Sequence, residues 1–135
     1  MTVQLTKDSI DLGIHVKDPD KSLAFYRDTL GFEPVGEMDM PGGMHMWRLM
    51  CGTSMIKLVN SERGPKAENP GGGIIGANGY RYWTISVDNL DEITTACADG
   101  GYKVVVPVRE IRPGTSISIV EDPDGNWVEF LNVAS

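Results

Sequence analysis

Apolar and polar residues alternate with a period of two in most of the chain and switch to a helical period in two places. Ile10, Leu12, Ile14 and Val16 interleave with Asp11, Gly13 and His15, the signature of a half-buried strand. Trp83, Ile85 and Val87 interleave in the same way with Tyr82, Thr84 and Ser86. Each of these strands runs into an amphipathic helix. In the first, Asp18 is placed as N-cap and Pro19 at the first helical position, Leu23, Phe25, Tyr26 and Leu30 form the buried stripe, and Gly31 stops it. In the second, Asn89 caps, Leu90, Ile93, Ala96 and Cys97 face inward, and Gly100 and Gly101 end the helix.

Three further strands are predicted after each helix, over about 33–39, 43–50 and 53–60 and then about 103–111, 115–121 and 126–132. The chain is therefore a weak repeat of β-α-β-β-β. Val16 and Val87 lie 71 positions apart, and SMIKLVN (54–60) matches NWVEFLN (126–132) at an offset of 72. The fold class is α+β, organised as one domain over 1–135 with module one at 9–60, a linker at 61–79 and module two at 80–132. The linker, SERGPKAENPGGGIIGANG, has loop composition and reads equally as lid, connection or surface disorder.

Composition narrows the partners. With 135 residues, 41% of them hydrophobic, the chain can bury a core without disulfide staples. Its 19 acidic against 12 basic side chains, a formal charge of −7, argue against nucleic acid and anionic membranes and leave small molecules as the expected partner. No run approaches the ~18 apolar residues of a membrane span, and the N-terminus lacks the apolar core of an export signal. Cys51 and Cys97 have no metal-site spacing and are expected as buried free thiols, which suits a cytoplasmic location.

The faces left over by the apolar alternation carry Asp11, His15, Lys57, Tyr82, Thr84, Ser86 and Glu129. Glu129 is the oddest, set between Trp127 and Leu131 in a strand that follows an Asp-Pro-Asp-Gly turn. A carboxylate there reaches water or a cavity, or has a partner.

The segments VKDPDKSLAFYRDTLGF, IKLV, ISVDNLDE and EDPDGNWVEF, taken in order, resemble the glyoxalase, bleomycin-resistance and extradiol-dioxygenase group, the vicinal-oxygen-chelate superfamily. The resemblance covers residues 9–132. It implies two β-α-β-β-β modules whose strands form a curled sheet around a cavity, and a homodimer built round small-molecule chemistry. It also implies a divalent metal held by four strand residues, whose positions fall here on Asp11, Lys57, Tyr82 and Glu129.

Only Glu129 keeps the residue type usual for such ligands. Protonated Lys57 has no lone pair to give and repels a cation, and a tyrosine phenol is a poor ligand at neutral pH. His15 is four residues along the strand from Asp11, roughly 13 Å at ~3.3 Å per residue. The expected site is therefore metal-free, a mutually compensated buried charge cluster of Asp11, Lys57 and Glu129 with Tyr82 donating a hydrogen bond. A metal, if one binds, would fall to Asp11 and Glu129.

In the enzyme reading Glu129 is general acid or base, Lys57 and Tyr82 stabilise an oxyanion, and His15, Thr84, Trp127 and His45 contact substrate. This is proton-transfer chemistry of lyase, isomerase or epimerase type. The alternatives are a non-catalytic drug or metabolite binder, with Trp47, Trp83 and Trp127 and Met38, Met40, Met44 and Met46 lining a groove, and a metal-dependent lyase or dioxygenase.

Overall fold

Asp18 opens the first helix as its sequence demands. Its carboxylate accepts the backbone N–H groups of Asp20 and Lys21 at 3.1 and 3.3 Å, with Pro19 at the first helical position. Such a cap contributes about 1 kcal/mol. The computed structural model in which this is seen describes residues 1–134. The helix α1 (Pro19–Leu23) widens into a π-helical segment, Ala24–Thr29. Thr29 Oγ1 donates to the Ala24 carbonyl five residues back, and Phe32 N–H closes onto Tyr26. The wider turn lets the adjacent Phe25 and Tyr26 both point inward, fully buried and edge to face at 4.7 Å between centroids. Leu30, expected in the stripe, is half-buried.

Among the described residues there are eight strands: β1 (Leu12–His15), β2 (Glu33–Met40), β3 (Met44–Cys51), β4 (Ser54–Ser61), β5 (Tyr82–Ser86), β6 (Val104–Arg112), β7 (Thr115–Glu121) and β8 (Trp127–Val133). The second helix, α2, spans Leu90–Asp99. The six strands predicted after the helices fall within a residue of these bounds. Two compact units result, one covering Met1–Lys66 and one beginning at Ala67. Each is β-α-β-β-β with an open four-stranded sheet, ordered β1-β4-β3-β2 in the first and β5-β8-β7-β6 in the second. β1 runs parallel to β4 and β5 to β8, while the remaining neighbours are antiparallel.

One face of each sheet is core. Leu49, Ile56 and Leu58 are buried in the first unit, and Val120, Val128 and Phe130 in the second. In the second unit Thr94 of α2 meets buried Ser118 of β7 hydroxyl to hydroxyl at 2.7 Å, and passes its own hydrogen bond to the Leu90 carbonyl. Neither polar side chain is then left unpaired in the core. Asn89, expected to cap α2, makes no side-chain cap.

Two expectations are corrected here. Ile10 does not join the apolar face: strand structure starts at Leu12, and Ile10 is 77% exposed. Cys51 is only half-buried, whereas Cys97 is fully enclosed. Burial pushes the Cys97 thiol up to about 11, so at pH 8 roughly one molecule in a thousand carries the reactive thiolate. An aromatic disulfide reagent at pH 8 is expected to leave Cys97 untouched until the protein is unfolded. Counting reactive thiols before and after denaturant checks this, and immediate native reaction at both cysteines would contradict it. Among the described residues no helix is long and apolar enough to cross a membrane.

Candidate functional site

In the second unit the Asp-Pro-Asp-Gly turn that delivers β8 is built round buried Asp122. One of its oxygens accepts the N–H groups of Asp124 and Asn126, and the other accepts the Asn126 amide, all at 2.9 Å. Gly125 takes φ +83°, a conformation glycine adopts without strain. The strand emerging from this turn places Glu129 between Thr84 on β5 and Ile119 on β7. Thr84 Oγ1 donates to Glu129 Oε1 at 2.7 Å. Ile119 is buried, and Trp127 and Leu131 flank Glu129 on the same face. Glu129 is thus half-buried with one oxygen fixed by a neutral donor. That is the partner its apolar setting demands.

Parallel register decides which neighbour does this. Thr84 pairs with Glu129, while Tyr82 pairs with Trp127, one step earlier on the same face. The hydrogen bond expected from Tyr82 therefore comes from Thr84. Tyr82 is 48% exposed.

Trp127, expected to contact substrate, has its ring occupied by the chain's own loop. Gly71, Gly72 and Gly73 run through three successive left-handed conformations, at φ +66°, +79° and +65°. Gly73 lies on the Trp127 ring so closely that a Cβ there would fall 2.2 Å from a ring carbon. Arg81 clamps the turn by donating to the Gly73 carbonyl at 2.8 Å and to the Gly71 carbonyl. Asn69 ties the loop to the Asp-Pro-Asp-Gly turn through the Asp124 carbonyl and the Asn126 amide oxygen. This part of the 61–79 segment is ordered against its own sheet. The sequence signal was the Gly-Gly-Gly run itself, read as loop without its anchor.

In the first unit Asp11 and Lys57 come within reach, with Nζ and Oδ2 3.6 Å apart, but Asp11 is exposed rather than buried as expected. Asp11 is more tightly held by Lys7 at 2.7 Å and by the Met55 N–H at 3.3 Å. The Lys7 hydrogen bond, aided by Met55 and by the charges of Lys7 and Lys57, holds its carboxyl below the usual range. His15 is on the same face, with Nε2 2.9 Å from Ser61 Oγ. His45 is not. Arg48 opposes Lys57 across β3 and β4, so His45, three residues from Arg48, projects from the opposite face. There its two ring nitrogens meet Glu37 and Asp39 at 2.7 Å each, with its edge against Trp47. The methionines do gather on the Lys57 face, since Met38, Met40, Met44 and Met46 share the parity of Arg48 through the β2–β3 register. Trp47 turns away with His45.

Glu37 first, then Asp39, raises the His45 pKa above its ordinary value. A raised folded pKa means that the charged ring stabilises the fold fully below the unfolded value of about 6.5, and that this is lost as pH rises through the folded value. The melting-temperature gap between wild type and His45→Gln is therefore expected to be widest near pH 6 and to close towards pH 9. A gap that is flat or widens with pH would contradict the assignment.

The donor set does not fit a divalent cation. Lys57 is a cation beside Asp11, Asp11 already serves two donors, and Tyr82 offers a phenol. Two surface clefts, about 590 Å³ beside Ser86, Asn89 and Leu131 and about 220 Å³ beside Leu23, Trp47 and Leu49, are lined by neither Lys57 nor Glu129. Arg48 is the residue that sequence reasoning missed, because only the strand register brings it beside Lys57.

Comparison with known proteins agrees with these two units. The sequence matches the Glyoxalase/Bleomycin resistance protein/Dioxygenase superfamily over residues 9–130. It is 30% identical to the probable lactoylglutathione lyase of Synechocystis over 128 residues, covering 90% of this chain and 92% of that protein. It is 25% identical to the lactoylglutathione lyase of Neisseria meningitidis serogroup A, covering 90% and 88%. Among solved structures, a glyoxalase family protein from Bacillus cereus superposes with a TM-score of 0.83 at 16% identity, covering 98% of this chain and 97% of that one. The lactoylglutathione lyase of Agrobacterium tumefaciens gives 0.64 at 26% identity, covering 91% of each chain. With the match running through both units, the chain belongs to the Glyoxalase/Bleomycin resistance protein/Dioxygenase superfamily.

Proposed function

We propose that this protein is a glyoxalase-like lyase or isomerase that moves a proton on a small carbonyl compound without a divalent metal. The observation that carries the reading is Glu129, a half-buried carboxylate among Ile119, Trp127 and Leu131 with only Oε1 engaged, by Thr84. Such a group is oriented and has a free oxygen for proton transfer. In this reading Glu129 removes the proton on the carbon next to a carbonyl. The C–H electron pair becomes a C=C bond and the carbonyl π pair moves onto oxygen, giving an enediolate. The carboxylic acid so formed then returns the proton to the adjacent carbon, while the neighbouring hydroxyl passes its own proton to the oxyanion and becomes the new carbonyl. Tyr82, one step from Thr84 on the same face, donates its phenolic O–H to the oxyanion. The relatives' names suggest thioesters of small 2-hydroxy acids as the first class to try.

The test is solvent exchange. Lactoylglutathione is incubated in deuterated water with enzyme, with and without a chelator, and the proton next to the thioester carbonyl is followed by NMR. Exchange that survives chelation and disappears in Glu129→Gln is the expected result. Exchange that needs metal, or that Glu129→Gln retains in full, overturns the reading. The methionine-lined face of the first unit favours a second reading, a non-catalytic binder. That reading is supported if lactoylglutathione signals broaden on binding while no proton exchanges.

A further inference from the structure

Across the first unit's sheet at Lys57, the register aligns Gly36, Arg48, Lys57 and Gly13 in one row. Directly registered neighbours share a face. Two cations therefore stand side by side between two positions that have no side chain. The Arg48 guanidinium lies over Gly36, where a Cβ would fall 2.6 Å from Nη2. At the other end a Cβ on Gly13 would meet nothing within 4 Å. The result is a shallow slot with a cationic floor. Met46, Val59 and His15 border it on one side, and Met50, Met55 and Asp11 on the other.

Charge in this slot does not balance. Asp11 is shared between Lys7 at 2.7 Å and Lys57 at 3.6 Å. Glu33, opposite Met50 on the edge strand, pairs with neither Arg48 nor Lys57 among the described residues. The Arg48 side chain makes no ion pair or hydrogen bond among the described residues, and its Nε is buried without a partner. A guanidinium cannot discharge by losing its proton, and a buried donor with no acceptor is costly. An anion arriving from outside supplies what the fold leaves out.

We propose that the row Gly36–Arg48–Lys57–Gly13 is a binding site for the carboxylate of a small organic acid. The planar guanidinium donates to the carboxylate oxygens, Lys57 adds a second charge, and the adaptable methionines accept the apolar body. The site lies wholly in the first unit. Binding there is independent of the function proposed above.

Benzoate and its neutral isostere benzamide are the probes, titrated into full-length protein while the Arg48 Nε–H signal is followed by NMR. Benzoate is expected to saturate and shift that signal, with benzamide leaving it in place. Arg48→Gln and Lys57→Gln are each expected to weaken benzoate about tenfold or more, and Arg48→Lys to recover part of the loss. Equal binding of the two probes, or wild-type affinity in Arg48→Gln, overturns the site. If Arg48→Gln does not fold, an Arg48 signal unmoved at benzoate saturation of the wild type overturns it equally. Benzoate binding without any lactoylglutathione exchange would remove the lyase reading and leave the carboxylate site standing.

Discussion

Glu129→Gln is expected to lower the rate of proton exchange by roughly 10²–10⁴, the range that a positioned general base contributes. The substitution keeps shape and removes only the ability to carry a proton. Thr84 Oγ1 can still donate to the amide oxygen, so the side chain is expected to stay where the carboxylate lay at 2.7 Å from it. Stability should change little, because no described cation pairs with Glu129 within its own unit. This separates a catalytic loss from a folding loss. Thermal unfolding within a degree or two of wild type beside collapsed exchange supports the assignment. An unchanged rate would falsify it. Thr84→Val is the companion variant: it keeps the carboxylate but removes its orienting donor, and a smaller loss of rate is expected.

Gly73→Ala should destabilise the second unit by about 2–5 kcal/mol. Two costs add. Alanine at φ +65° carries a left-handed penalty of about 1–2 kcal/mol, and a methyl driven into the Trp127 ring at 2.2 Å adds an overpacking cost of about 1–3 kcal/mol. The loop has little room to yield, since Arg81 holds it from the Gly71 and Gly73 carbonyls and Asn69 from the turn before β8. A drop in melting temperature of roughly 5–15 °C is expected. Should the loop instead peel off its sheet, the cost appears as red-shifted tryptophan emission as Trp127 meets water. A variant that melts and emits like wild type would mean that the loop does not rest on that ring.

The strands were legible because alternation is a local property and each apolar face has its core to fill. Ile10 was misjudged because alternation does not say where a strand's partner ends: beyond Leu12, Met55 gives its N–H to the Asp11 side chain, and the backbone leaves the sheet. The π-helical turn at Ala24–Thr29 was hidden, since FYRDT contains neither proline nor glycine to mark it. What sequence could not supply was register. Tyr82 and Thr84 are equivalent by parity, and only the parallel pairing of β5 with β8 gives Glu129 to Thr84. His45 and Arg48 are three positions apart and belong to opposite faces, but which of them joins Lys57 depends on how β3 lies against β4. The site's chemistry is thus written in residue types and its partnerships in strand pairing.

The strand order has a consequence for biosynthesis. β8 is made after the other three strands of its sheet, yet it sits between β5 and β7, and among the described residues β5, at the sheet's edge, pairs with no other strand. While the ribosome holds the residues after Glu121, the second unit has a strand waiting for a neighbour not yet translated. A nonsense mutation just before Trp127 would not trim a margin. It would remove β8, the strand that joins β5 to β7, leave β5 without a neighbour, and delete Glu129.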